Sequence, residues 1–213
     1  MLDEYGERGE VQLGSNYCRL RERNLENRKG NPVTKNHLSA YPAAGVIFIL
    51  QNIEYDRAAA VKYALEWAHL RNPIYYDFEE IGGNCTNFVS QCLYAGCSVM
   101  NYAEQNGWYY IDINDRAPSW TGVPFLKDFL LTNEGAAVYG VEAPLENLEI
   151  GDVIQLRNPG GILYHTMVIS MIREPVNPMN IYVCAHSFDA RNRRLSTYDY
   201  DHAEGIHIIG ARR

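Results

Sequence analysis

The stretch that decides the fold runs Gly82-Gly83-Asn84-Cys85-Thr86-Asn87-Phe88-Val89-Ser90-Gln91-Cys92-Leu93. Two glycines permit a tight turn. Phe88, Val89, Cys92 and Leu93 then recur as the apolar stripe of a helix that opens near Cys85, with Gly96 placed to end it. A cysteine at a helix start meets unpaired N–H groups and the positive end of the helix dipole. Those surroundings favour thiolate, the form that attacks carbonyls, and the N–H of Cys85 would be free to serve an oxyanion hole. A cysteine taken alone is more often a small buried residue, so its context has to decide.

Moving outward, the upstream half is helical in period. Asp56 is a plausible N-cap, and Val61, Ala64, Leu65 and Ala68 fall at helical spacing, which predicts a helix over 56–70 stopped before Asn72-Pro73. A third helix is expected over 121–132, with Pro124 in its first turn. Beyond residue 150 the period becomes two. Strands are predicted over 152–156, 165–172, 181–186 and 205–209, divided by Asn158-Pro159-Gly160-Gly161, by Pro175 to Pro178 and by the polar stretch 189–204. Helices first and an antiparallel sheet afterwards make an α+β domain, set at 46–213. Val46 to Leu50 reads as a short strand. Residues 1–45 are polar and charge-dense and read as an accessory segment.

A thiolate nucleophile needs a base within hydrogen-bond reach, and that base needs an orienting partner. His165 opens an otherwise apolar strand, and His186 ends the next one. If the two pair as a hairpin around 175–178, the start of one lies beside the end of the other, and His186 can accept a hydrogen bond from His165.

Bulk properties narrow the field. The chain has 213 residues, 46% hydrophobic and 21% charged, enough for one folded domain with a real core. A formal charge of −7, with no concentrated basic footprint in the sequence, argues against nucleic acid as a partner. Five cysteines, Cys18, Cys85, Cys92, Cys97 and Cys184, leave at least one thiol unpaired in any disulfide scheme, and no CxxC pair suggests a zinc ribbon. His202 and His207 lack partners at metal-ligand spacing, so neither metal nor cofactor is expected. No signal peptide is evident, and the compact apolar run 43–50 is far shorter than a membrane helix needs.

Further blocks carry a resemblance. Tyr55-Asp56-Arg57-Ala58, Trp67, Asn72-Pro73, Tyr75-Tyr76-Asp77-Phe78, the Cys85 block, Gly107-Trp108-Tyr109-Tyr110, Pro118-Ser119-Trp120-Thr121, Gly151-Asp152-Val153-Ile154-Gln155 and the two histidine strands together resemble the putative amidase domain family over about residues 54–210. That family is grouped with the papain-like superfamily of NlpC and CHAP cell-wall peptidases. The resemblance implies a papain-like fold, with N-terminal helices packed on an antiparallel sheet, and cysteine amidase or peptidase activity. It assigns Cys85 as nucleophile, His165 as base and His186 as third residue, with Asp189 close enough to compete. The family often has Asp where this chain has Asn84.

Trp108, Tyr109, Trp120 and Asn84 are candidates to meet substrate, with core packing the competing reading for the aromatics. The implied substrate is a peptidoglycan amide, at the muramoyl-alanine link or within the stem peptide, and the implied location is secreted or wall-associated, with a cytoplasmic location or delivery by another route left open by the missing signal peptide. Acyl transfer, deamidation or a toxin activity on protein stay open, as does a non-catalytic wall-binding module.

Overall fold

The computed structural model describes residues 49–213. The accessory segment expected over 1–45 lies outside the described residues, as does most of the strand expected over 46–50. Ile49 and Leu50 carry no regular structure.

Helix α1 (Arg57–Trp67) starts where expected, because the Asp56 carboxylate accepts the Ala59 N–H at 2.8 Å. Helix α2 (Cys85–Cys97) runs past Gly96 and ends on Ser98, whose φ of 55° is left-handed. Gly96 therefore does not terminate the helix. A Cβ there would stand 2.3 Å from the Tyr55 ring, so the glycine is what lets the chain before α1 lie against α2. The Asp56 N–H donates to the Gly96 carbonyl across the same contact at 2.8 Å. A one-turn helix, α3 (Pro118–Thr121), precedes α4 (Val123–Thr132), which carries a proline in its first turn.

The strands are β1 (Asn52–Ile53), β2 (Tyr110–Asp112), β3 (Asp115–Arg116), β4 (Ala137–Ala143), β5 (Val153–Arg157), β6 (Leu163–Ile172), β7 (Ile181–Ala185), β8 (Ala190–Arg194) and β9 (His202–Arg212). β2 and β3 form a separate small hairpin. The others make a seven-stranded sheet ordered β1-β9-β5-β6-β7-β8, with β4 also paired to β9. Every pairing is antiparallel, so the mixed α and β architecture with an antiparallel sheet agrees with the expectation.

Alternation along the strands sends residues to two cores. Val153, Val168, Cys184 and Ile206 join Phe88, Val89, Trp120 and Phe129 in a cluster on the helical face. Ile154, Leu156, Met167, Ile169, Val183 and Leu195 form a second cluster on the opposite face. This division determines which side of the sheet each candidate side chain can reach.

Candidate active site

The turn that leads into α2 is a hydrogen-bonded bracket closed around the buried Asn84. Gly82 and Gly83 take φ values of 127° and 96°, which side chains rarely adopt. Asn84 Oδ1 accepts from the Phe78 N–H at 3.1 Å and from Asn87 Nδ2 at 2.7 Å. Its Nδ2 reaches His186 Nδ1 at 2.7 Å. Its backbone N–H donates to Ser187 Oγ at 2.7 Å, and that hydroxyl donates to Glu79 at 3.1 Å. Asn84 is 1% exposed. Expected to touch substrate, it instead braces the turn that presents Cys85.

Cys85 begins α2 and is buried. Its Sγ lies 3.8 Å from Thr86 Oγ1, and the Thr166 backbone also hydrogen-bonds to the sulfur. Thr86 Oγ1 in turn meets Thr166 Oγ1 at 3.3 Å, which ties the start of α2 to β6. Burial pushes the thiol pKa above its ordinary value, although the Thr166 and Thr86 hydrogen bonds pull the other way. Cys85 therefore rests as a thiol, whereas a helix start alone would favour thiolate. Cys92, Cys97 and Cys184 are also free thiols.

His165 pairs with Leu156 across β5 and β6, so by alternation it shares the second-cluster face with Leu156 and Met167. Its ring lies 5.8 Å from that of Tyr198, centroid to centroid. Nε2 is buried with no hydrogen-bond partner. Burial, assisted by the positive charge of Arg193, lowers the imidazole pKa to about 4, so the ring is neutral at physiological pH. No hydrogen bond joins Cys85 Sγ to the His165 ring. What comes against the sulfur is the backbone of Thr166, the next residue.

The predicted β6–β7 hairpin is present, but the expected hydrogen bond between His165 and His186 is not formed. Val168 pairs with Cys184 and Ile169 with Val183. The same register carried two positions further sets 186 opposite 166, not 165. An offset of one residue changes the face, and His186 accordingly lies on the helical side, stacked on Phe88 with centroids 4.0 Å apart. Its Nε2 meets the Trp67 carbonyl at 2.9 Å. A carbonyl only accepts, so Nε2 carries the proton and Nδ1 accepts from Asn84. Both nitrogens are occupied. Asp189 is occupied as well, in a two-pronged pair with Arg71 at 2.9 Å for each contact.

The aromatic expectations divide. Trp108 and Trp120 are wholly buried and cannot line a groove. Their indole N–H groups donate to Ser90 Oγ and Asn87 Oδ1, and their rings pack 4.8 Å apart in the helical-side core. Tyr109 is half-buried against Tyr102. Thr86, Thr166, Ser187 and Tyr198 were not anticipated, although strict alternation along β6 would have put Thr166, and not His165, toward α2. His207 Nδ1 is 2.7 Å from the buried Asp152, and among the described residues no group of three or more His, Cys, Asp or Glu side chains is arranged to hold a metal ion. None of the described helices is long and apolar enough to cross a membrane.

The Cys85 thiol thus meets Thr166 on the helical side of the sheet, while the neutral His165 ring lies on the other side. No solved structure matches the chain. The chain is 34% identical over 157 residues to the uncharacterized protein YhbB of Bacillus subtilis (strain 168), an alignment that covers 68% of this chain and 46% of that protein. It is 27% identical over 146 residues to the uncharacterized protein YjcM of the same organism, covering 65% of this chain and 32% of that protein. The chain thus spans less than half the length of these curated relatives. The model of the family described as "Putative amidase domain" matches residues 54–209, the segment that contains the Cys85 turn, both histidine strands and most of the sheet, and the chain belongs to that family.

Proposed function

We propose that the protein is a papain-like cysteine hydrolase that cuts amide bonds of bacterial cell-wall peptidoglycan, with Cys85 as nucleophile and His165 as general base. The observation that carries this reading is the seat of Cys85, a thiol at the first residue of α2 whose sulfur rests against the backbone of the residue following His165. Burial keeps both groups uncharged near neutrality, so the proton moves during attack and not before it. In this reading His165 takes the proton from Sγ as sulfur bonds to the amide carbonyl carbon, a step that requires the start of β6 to turn so that the ring leaves the second-cluster side and faces α2. The Cys85 N–H holds the oxyanion. The imidazolium returns its proton to the departing amine as the C–N bond breaks, and a water activated by the same ring then opens the thioester.

The wall as target rests on the resemblance to NlpC and CHAP peptidases and on the bacterial relatives, and the reading would have the protein act at the cell wall. At a net charge of −7, groove contacts and not the overall field would hold such a substrate. One observation favours a second reading, a non-catalytic wall-binding module: the His165 ring packs beside Tyr198 on the face away from the helices.

Digestion of purified peptidoglycan by the protein and by Cys85→Ala, read by mass spectrometry, separates the two. Muramic acid freed of peptide marks an amidase, and new amino termini within the stem mark an endopeptidase. Either product must disappear in the variant. Selective alkylation of Cys85 without wall cleavage would redirect the search to protein substrates, for deamidation, acyl transfer or a toxin activity. Absence of both leaves the binding module.

A further inference from the structure

Behind Cys85 a run of buried polar side chains joins β5 and β6 to α2. Gln155 and Thr166 are register partners across the two strands, and alternation puts both on the helical side with Val153 and Val168. Thr86 meets them from the first turn of α2. All three are wholly buried. Gln155 Nε2 donates to the Val123 carbonyl at 2.8 Å and to Thr166 Oγ1 at 3.3 Å. Thr166 Oγ1 stands 3.3 Å from Thr86 Oγ1, which stands 3.8 Å from Cys85 Sγ.

These contacts have a direction. A carbonyl only accepts, so the Val123 contact identifies the nitrogen end of the Gln155 amide, and an amide nitrogen only donates. Thr166 Oγ1 therefore accepts from Gln155, which leaves its own hydrogen for Thr86 Oγ1. Thr86 accepts there, and its hydrogen in turn is left for the sulfur. The other end of the amide is unprovided for, since Gln155 Oε1 is buried with no hydrogen-bond partner. An unsatisfied buried acceptor destabilises a fold. A leucine of similar shape would avoid that cost, so packing does not account for the glutamine.

We propose that Gln155 is a positioning residue for the nucleophile, orienting the Thr166 and Thr86 hydroxyls so that a one-way chain of hydrogen bonds ends on the Cys85 sulfur and stabilises its thiolate as it forms. The inference rests on Cys85 being the nucleophile, and it holds whichever group takes the thiol proton. The 3.3 and 3.8 Å contacts suit a neutral thiol, and negative charge on sulfur shortens such bonds. Titratable groups on the surrounding elements do not stand in for the chain. His186 on β7 is engaged by Asn84 and Trp67, Glu79 accepts from Ser187, and His165 lies on the other side of the sheet. Cys92 and Cys184 are buried thiols whose own pKa values burial raises.

The test follows iodoacetamide alkylation of Cys85 against pH, read by mass spectrometry of the peptide that carries it, in the full chain and in Thr86→Val, Thr166→Val and Gln155→Leu. Each variant keeps the approximate shape and removes one member of the chain. Loss of a donor destabilises thiolate, so the midpoint is expected to rise by about one unit in Thr86→Val, the worth of one hydrogen bond, and by less in the other two. Thr86→Ser and Thr166→Ser keep the hydroxyls and should hold the wild-type midpoint, a rescue that a merely structural role would not give. Gln155→Leu does not touch the start of α2 and decides alone if Thr86→Val fails to fold. A midpoint unmoved in Thr86→Val, or raised there but unmoved in both Thr166→Val and Gln155→Leu, overturns the chain. Peptide release from purified peptidoglycan, with Cys85→Ala as control, tests the hydrolase separately. Raised midpoints with no release by any form uphold the chain and remove the hydrolase, whereas release with unmoved midpoints keeps the hydrolase and refutes the chain.

Discussion

Asn84 connects two parts of the chain that are distant in sequence. Its oxygen serves Phe78 and Asn87, and its amide nitrogen serves His186, so the turn before Cys85 is locked to the end of β7 by a group that both donates and accepts. An aspartate in the same place could only accept. His186 Nε2–H is already committed to the Trp67 carbonyl, so a carboxylate at 84 would draw a second proton onto Nδ1. Burial now lowers the His186 pKa below its ordinary value. Asn84→Asp is expected to reverse that direction and raise it, because a carboxylate in contact favours the charged imidazolium. Proton NMR titration of the His186 ring measures it, and a midpoint unchanged from wild type would show that Asn84 does not set the state of that histidine.

At the scale of elements, the contact between α2 and the residues before α1 reverses an ordinary expectation. Glycine inside a helix is usually worse than alanine by about 1 kcal/mol, so Gly96→Ala should stabilise if propensity decided the outcome. The added Cβ would meet the Tyr55 ring at 2.3 Å and the Asp56 carbonyl at 2.9 Å, and the Tyr55 hydroxyl is held by the Gly151 carbonyl at 3.0 Å. Overpacking against a pinned ring costs about 1–3 kcal/mol. We expect net destabilisation, read as a lower urea midpoint, and an unchanged or higher midpoint would refute the argument. Gly96 also shows where sequence was misleading, since a glycine near a helix end looks like a stop signal until the chain packed against it is known. Elements with strong periodicity were legible: α1, α2, α4, β5, β6, β7 and β9. β8 is Ala190-Arg191-Asn192-Arg193-Arg194, with only its first residue buried, and a polar edge strand has no apolar alternation to read. β4 is interrupted by Gly140, where a Cβ would lie 2.5 Å from the His207 carbonyl. The histidine partners were misjudged because hairpin register, invisible in a single sequence, assigns each face by odd or even position.

For the molecule as a whole, the buried histidines set how folding responds to acid. An unfolded histidine takes up its proton near pH 6.5, whereas folded His165 does so only at about 4. Between those values the unfolded chain binds more protons than the folded one, so stability rises with pH across the window and falls on acidification. A depression of this size corresponds to about 3 kcal/mol at most, fully lost below pH 4. His186, also lowered by burial, acts in the same direction. Glu204 adds to the loss at more acidic pH. Burial alone would raise its carboxyl pKa, but hydrogen bonds from Lys127 and Arg157 outweigh that and hold it below its ordinary value, and a depressed carboxylate gives up its contribution as pH falls through the folded value. Melting temperatures followed by circular dichroism from pH 7.5 to 4 are therefore expected to drop steadily below about 6.5. His165→Gln removes one titrating group without removing the strand, and the variant should lose stability less steeply over that interval than the wild type. Parallel slopes for the two proteins would mean that His165 is not buried in its neutral form, which would undercut its readiness to act as a base near neutrality.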